Sequence, residues 1–334
     1  MKMKNKRIFI ITLSVMIAVA LTACVAIPFT AFDNAEEPLE ESAPVSATED
    51  RLNILITGSD RTSGLTDVII LLSLDRKNNS AAVLQIPRDT YASYTDKSYK
   101  KLNGAYGALG ADGLCDFISH STGVTVDKYL MLSPDAFVGA VDALGGVEVT
   151  LSEPMRYSDP AQGLFIALEA GKQTLSGKQA EQFIRYRSGY ADGDLGRIDA
   201  QKQFLCGLLT AARKKNDPFS LAKVAASLLG KTETNITPTE GAAIAGELLA
   251  LNTENIYLMT APGEAVVAEE SGASYYSLSG RAMGEVLEKY FGGASAGFDE
   301  NRVFLNGKYE SFQRVYEGYS EYKVYSAKNI LAGK

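Results

Sequence analysis

Three short runs of almost unbroken Ile, Leu and Val restrict this chain more than any other feature: Leu52 to Thr57, Val68 to Leu74 and Ala81 to Ile86. A strand with one wet face alternates apolar and polar residues, so runs this continuous must be covered on both faces. Further strands are expected at Tyr129 to Leu132, Val147 to Leu151 and Ile256 to Met259. Helix signals fall between them. Ser133-Pro134 opens a helix that Gly145-Gly146 closes, and Ser176 with Gln179 forms a capping-box pattern before a segment ending near Arg187. Asp217-Pro218 and Thr237-Pro238, the latter with Glu240, announce two more. Strands alternating with helices predict an α/β fold with helix layers on both faces of a mixed central sheet.

The start of the chain carries a different signal. Lys2, Lys4, Lys6 and Arg7 precede a mainly apolar run from Ile8 to about Phe32, long enough to span a bilayer, with Asp33, Glu36 and Glu37 after it. The positive-inside bias then places the start in the cytoplasm and the body outside, at the cell membrane. Leu21-Thr22-Ala23-Cys24 also matches the pattern at which bacterial lipoproteins are cleaved and acylated, and a removed secretory signal is a third reading. All three put the body outside the cytoplasm. Residues 1–32 are therefore read as an anchor, or as a lipoprotein signal up to Cys24. Residues 33–50, acidic and rich in Ala, Ser and Pro, read as a flexible linker. The main domain is expected over 51–292, with 293–334 an extension of unassigned role.

Composition removes several kinds of chemistry. The 334 residues carry a net charge of −7, which with no long basic stretch in the body argues against nucleic-acid binding. One His, His120, cannot build a two-His zinc site, and Cys24, Cys115 and Cys206 are too far apart for a zinc ribbon or a redox pair. Cys115 and Cys206 could pair in an oxidising exterior or serve as small buried residues on helices; Leu114, Phe117, Leu205 and Leu208 beside them favour burial. Chemistry is left to carboxylates, Arg and Lys, with a hard cation as the fitting metal.

Asp60 follows the first buried run and Asp67 stands at the mouth of the second, both expected at strand ends outside the core. Two such acids can share a divalent cation such as Mg2+, or can simply cap turns. Pro87-Arg88-Asp89-Thr90 ends the third run, bringing Arg88 to the same sheet edge if the strands run parallel, or forming only a local Arg-Asp pair. Arg185, Arg187 and Arg197 surround a glycine-bearing loop before an amphipathic helix expected to begin at Gln201. Guanidinium forks near a helix start suit a phosphate group, and a solvated charged surface is the plain alternative.

In content and order these segments resemble the LytR-CpsA-Psr (LCP) proteins of bacterial envelopes, from about Arg51 to at least Met259. The resemblance rests on Gly58-Ser59-Asp60, Asp67, Pro87-Arg88-Asp89-Thr90, Lys101-Leu102-Asn103-Gly104-Ala105-Tyr106, Asp142-Ala143-Leu144-Gly145-Gly146-Val147-Glu148-Val149, Arg185-x-Arg187, and Asp194-x-Gly196-Arg197 with Gln201. It implies a three-layer α/β/α sandwich with an apolar groove for a lipid chain. It also implies transfer of a glycan from a polyprenyl-diphosphate carrier to a peptidoglycan acceptor. The roles it implies are Mg2+ carboxylates for Asp60 and Asp67, and a diphosphate clamp for Arg88, Lys101, Arg185, Arg187 and Arg197. Asp194 would orient Arg residues or accept the acceptor's proton, and Gln201 would bond a phosphate oxygen. This sequence departs from the pattern in a shorter Asp60–Asp67 loop, in Leu65-Thr66 where Arg-Ser is common, and in Ala200 where an Arg often precedes the Gln.

Three functions compete on this reading: a phosphotransferase, a non-catalytic binder of lipid-linked glycans acting as sensor or scaffold, and a lipid diphosphatase. The departures favour the second. Gathering Arg88, Arg185 and Arg187 at one site should strain the empty protein through like-charge repulsion, relieved when a diphosphate binds.

Overall fold

The computed structural model describes residues 50–59, 65–94, 101–160, 164–187, 189, 190, 194–215, 223, 224, 226–228, 231–269, 271–293, 312–314 and 322–333. Strands β1 (Arg51–Ser59), β2 (Thr66–Asp75) and β3 (Ser80–Ile86) form an antiparallel meander. They lie near the middle of a seven-stranded mixed sheet. β4 (Lys128–Leu132) joins β1 in parallel and β10 (Ile256–Thr260) joins β3 in parallel. The antiparallel edges are β9 (Thr232–Thr234) beside β4 and β14 (Val324–Ser326) beside β10.

Every residue of β2 is buried, as its unbroken Val68–Leu72 run requires. Its alternate side chains feed two cores. Ile54, Ile56, Val68, Ile70 and Val83 meet helices α2 (Pro134–Ala143), α3 (Gly177–Arg185), α4 (Asp194–Lys214) and α5 (Pro238–Ala250) on one face. Leu55, Ile69, Leu71 and Leu84 meet α1 (Ala105–Thr122) and α6 (Gly280–Phe291) on the other. The layers are thus α/β/α, as expected. The expected caps form as well: Ser133 accepts from Ala136, while Ser176 and Thr237 complete capping boxes with Gln179 and Glu240.

The expected strand at Val147–Leu151 forms as well, while the helix bounds near Arg187 and Gln201 need correction. β5 (Val147–Leu151) stands outside the main sheet, paired with β8 (Gly171–Leu175), and its alternating burial shows one face exposed. β6 (Met155–Asp159) and β7 (Leu164–Leu168) form a second ribbon. A three-stranded sheet holds β11 (Gly263–Ala268), β12 (Ser274–Leu278) and β13 (Phe312–Arg314). α3 stops at Arg185, with Tyr186 already extended, and α4 opens at Asp194 rather than Gln201. The helix start expected at Asp217-Pro218 lies outside the described residues. A short helix α7 (Ala327–Leu331) follows β14. Cys115 and Cys206 are free thiols, buried on α1 and α4.

Residues 1–49, where an anchor and a linker are expected, also lie outside the described residues, and no helix among the described residues is long and apolar enough to cross a membrane.

Candidate functional site

Because β2 is antiparallel to both neighbours, the end of β1, the start of β2 and the end of β3 meet at one sheet edge. The sequence reading asked for parallel strands to achieve this; a meander does it instead. The β2–β3 ladder ends at the Ile69–Ile86 pair, and Asp67 and Arg88 lie just beyond it. Arg88 Nη1 donates to Asp67 Oδ1. Asp67 is only 4% exposed, so it does not lie outside the core as expected. Asp89, the neighbour of Arg88, binds Lys101 Nζ at 3.0 Å.

The turn carrying Arg88 is held from two sides. Thr90 closes it by donating its N–H to the Pro87 carbonyl, at 3.0 Å, and its hydroxyl to the same oxygen, at 2.6 Å. Asn103 N–H donates to the Arg88 carbonyl at 3.0 Å, while Tyr276 N–H donates to the Asp89 carbonyl at 2.9 Å. Lys101 is thereby beside the turn, its ammonium 5.7 Å from the centre of the Tyr275 ring.

Helices α3 and α4 supply the opposite side. Arg185, at the end of α3, is buried and pairs with buried Glu181 one turn earlier, at 3.5 Å. Burial pulls its pKa down, opposed by the charges of Glu181 and then Asp67. Gln201 joins strand to helix: its Nε2 donates to the Ile184 carbonyl at 3.3 Å and its oxygen accepts from Gln85 of β3 at 3.2 Å. Arg197, one turn before Gln201 on the same face of α4, is 1% exposed. Arg187 is exposed. Asp194 is the first residue of α4, and Asp60 lies outside the described residues.

The structure therefore links Asp67, Arg88, Arg185 and Gln201, with Arg197 beside them on α4, while the ammonium of Lys101 is engaged by Asp89. Sequence reasoning missed Glu181, although its spacing of four residues from Arg185 was a usable signal. It also missed Gln85, whose role depends on a contact between distant segments. Tyr186 and Tyr190 border the same loop, their rings 5.6 Å apart at 76°. Gly196 permits this approach, since a Cβ there would lie 2.6 Å from that of Tyr190. Burial pushes the Tyr190 phenol up to about 12.

Among the described residues no group of three or more His, Cys, Asp or Glu could hold a metal. Asp67 alone still fits a hard cation of the Mg2+ kind, which commonly takes one or two carboxylates and completes its shell with water and phosphate oxygens.

The LytR_cpsA_psr family profile matches residues 26–291. The chain belongs to this family. Among curated relatives of this LytR_cpsA_psr chain, the polyisoprenyl-teichoic acid–peptidoglycan teichoic acid transferase TagV of Bacillus subtilis (strain 168) is 32% identical over 187 residues. That match covers 54% of this chain and 47% of the relative. The transferase TagU of Oceanobacillus iheyensis is 31% identical over 197 residues, covering 56% of this chain and 58% of the relative. The chain thus spans about half the length of these curated relatives. The crystal structure of B. subtilis TagV superposes with a TM-score of 0.63 at 23% identity, covering 77% of this chain and 99% of that one, which shows the shared fold.

Proposed function

We propose that this protein transfers a glycopolymer from a polyprenyl-diphosphate carrier to a peptidoglycan hydroxyl, forming a phosphodiester link. The observation that carries the reading is the charge cluster at one sheet edge, where half-buried Arg88 pairs with buried Asp67 and the charge of Asp67 is felt by buried Arg185 at the end of α3. The names of the TagV and TagU relatives support the same reaction class.

The acceptor oxygen would attack the phosphorus bearing the glycan. A P–O bond forms there, the bridging P–O bond breaks, and its electron pair leaves with polyprenyl monophosphate. Arg88 and Arg185 would bind the diphosphate oxygens and neutralise charge growing on the leaving group. Buried Arg197, Gln85 and Gln201 would keep α4 and β3 in register around it. Asp194, opening α4, would take the acceptor proton or orient an Arg. Mg2+ held by Asp67 and Asp60 would supply further neutralisation of phosphate charge. Lys101 and exposed Arg187 would steer the anionic substrate rather than grip it. Residues 1–32 would hold the body at the outer face of the cell membrane, in reach of lipid carrier and wall.

The deciding experiment incubates the full chain with a synthetic polyprenyl-diphosphate disaccharide, Mg2+ and a peptidoglycan glycan acceptor, and weighs the products. An acceptor carrying the phosphosugar supports transfer. Phosphosugar released into water even with acceptor present indicates a diphosphatase, and tight binding with no product indicates a sensor or scaffold.

A further inference from the structure

Residues 322–333 lie beyond the stretch 26–291 matched by the family, yet they are built into the fold. β14 pairs with β10, placing Tyr325 opposite Leu258. Ser326 caps α7 by accepting from Asn329 N–H at 3.2 Å, and Ala327 is fully buried. This segment forms one wall of a cavity of about 540 Å³ whose other walls are the β5–β6 turn, the end of α3 and the first turns of α4. The cavity lies next to the charge cluster along the chain: its lining residue Tyr186 stands between Arg185 and Arg187, and Gly196 precedes Arg197.

Two largely desolvated polar groups stand in the lining. Lys202 has a side chain only 6% exposed, paired at 2.8 Å with Asp199, whose own side chain is 67% exposed. Its ammonium stands 5.5 Å from the centre of the Tyr325 ring, and burial lowers its pKa. The Tyr190 hydroxyl is buried without a hydrogen-bond partner among the described residues. A lipid chain would gain nothing from a desolvated ammonium and a desolvated hydroxyl. A simple anion would be opposed by Glu153 and Asp199 in the same lining. A saccharide suits the set, because its C–H face packs on phenol rings while its hydroxyls both give and accept hydrogen bonds. The volume is in the usual range for a small-ligand site.

We propose that this cavity is a saccharide-binding subsite completed by the C-terminal segment, with Tyr325 and Lys202 as specificity-determining residues. The inference rests on the diphosphate reading of the neighbouring Arg cluster, which would deliver a carrier-linked sugar to the cavity mouth. The sugar could belong to the carrier or to the acceptor strand, and its chemistry is the same in both.

The test uses the full chain in detergent and three probes: bare polyprenyl diphosphate, the same carrier bearing an N-acetylhexosamine disaccharide, and a free N-acetylglucosamine oligosaccharide. The parent should bind the disaccharide carrier about tenfold more tightly than the bare one, a gain typical of aromatic packing with one or two hydrogen bonds. Tyr325→Ala and Lys202→Met should each remove that preference while leaving bare-carrier affinity unchanged, and Tyr325→Phe should keep it. If the parent gains nothing from the carrier's disaccharide but binds the free oligosaccharide, and the two variants lose that binding, the occupant is the acceptor strand. Lys202→Met decides the question should Tyr325→Ala fail to fold. A parent with no preference in either arm, or variants that keep it, would overturn the proposal. Failure of the bare carrier to bind the parent would instead remove the diphosphate reading, and the oligosaccharide arm would still judge the cavity.

Discussion

Replacing Arg185 with Met separates the structural work of this residue from its work on a ligand. Arg185 and Glu181 are 6% and 7% exposed at their side chains and stand 3.5 Å apart. At an effective dielectric constant near 20 their attraction is about 5 kcal/mol, most of it offset by the cost of desolvating both ions. Deleting the Arg leaves the Glu181 carboxylate buried, and breaking such a pair typically costs about 3 to 5 kcal/mol. Lys178 reaches the second Glu181 oxygen at 2.9 Å but is itself 67% exposed, so it repays only part of the loss. Arg185→Met should therefore destabilise the protein by about 2 to 3 kcal/mol, read as a lower denaturant midpoint with unchanged slope. Adding Glu181→Leu should restore at least about 1 kcal/mol of this, because no buried ion is then left alone. Diphosphate affinity should stay low in both variants. A single variant as stable as the parent, or a double variant less stable than the single, would refute the reasoning.

Three further outcomes are expected. Burial raises the pKa of Asp75, but hydrogen bonds from Asn78 and the charge of Arg51 outweigh it and hold the carboxyl below its ordinary 3.8. The resulting stability should be complete above about pH 4 and vanish as pH falls through the lowered folded value, so acid titration of Asp75→Asn should lack this step. Burial pushes the Cys115 and Cys206 thiols up to about 12, so a thiol reagent at pH 8 should leave both unlabelled until the body is unfolded. In chelator, Asp67→Asn should bind inorganic diphosphate more tightly than the parent, since Arg88 no longer faces a carboxylate; calorimetry showing weaker binding would contradict an exchange of the carboxylate for the diphosphate at Arg88.

The central sheet was legible because its signal is local. Continuous apolar runs need two covered faces, and β1, β2 and β3 appear within a residue or two of the runs that announced them. Caps at Ser133, Ser176 and Thr237 were legible for the same reason. What failed depends on distant partners. β9 spans three residues and forms only because β4 offers an edge, and β14 depends likewise on β10. β6, whose Arg156, Tyr157 and Ser158 are exposed, carries no apolar pattern to betray it. At the site, residue types and spacing pointed to Asp67 and Arg88 but not to their pairing. That choice depends on tertiary contacts, the antiparallel β2–β3 pairing that brings the two segments to one sheet edge and the turn that carries Asp89 to Lys101.

This pairing changes the account of how the site would take an anion. Three Arg residues gathered from distant parts of the sequence suggested an empty state strained by repulsion. The two nearest the sheet edge, half-buried Arg88 and buried Arg185, are instead already neutralised: Arg88 by Asp67, and Arg185 by Glu181. The cluster is held together by its own acids, so no ligand is needed to explain its assembly. A diphosphate would then replace carboxylate contacts rather than fill empty ones, and its affinity would reflect the difference between two charge-assisted partners. Such exchange favours a ligand with more negative charge and more acceptor oxygens than a carboxylate. It also keeps the guanidinium groups oriented beforehand, so that little ordering cost remains when the substrate arrives.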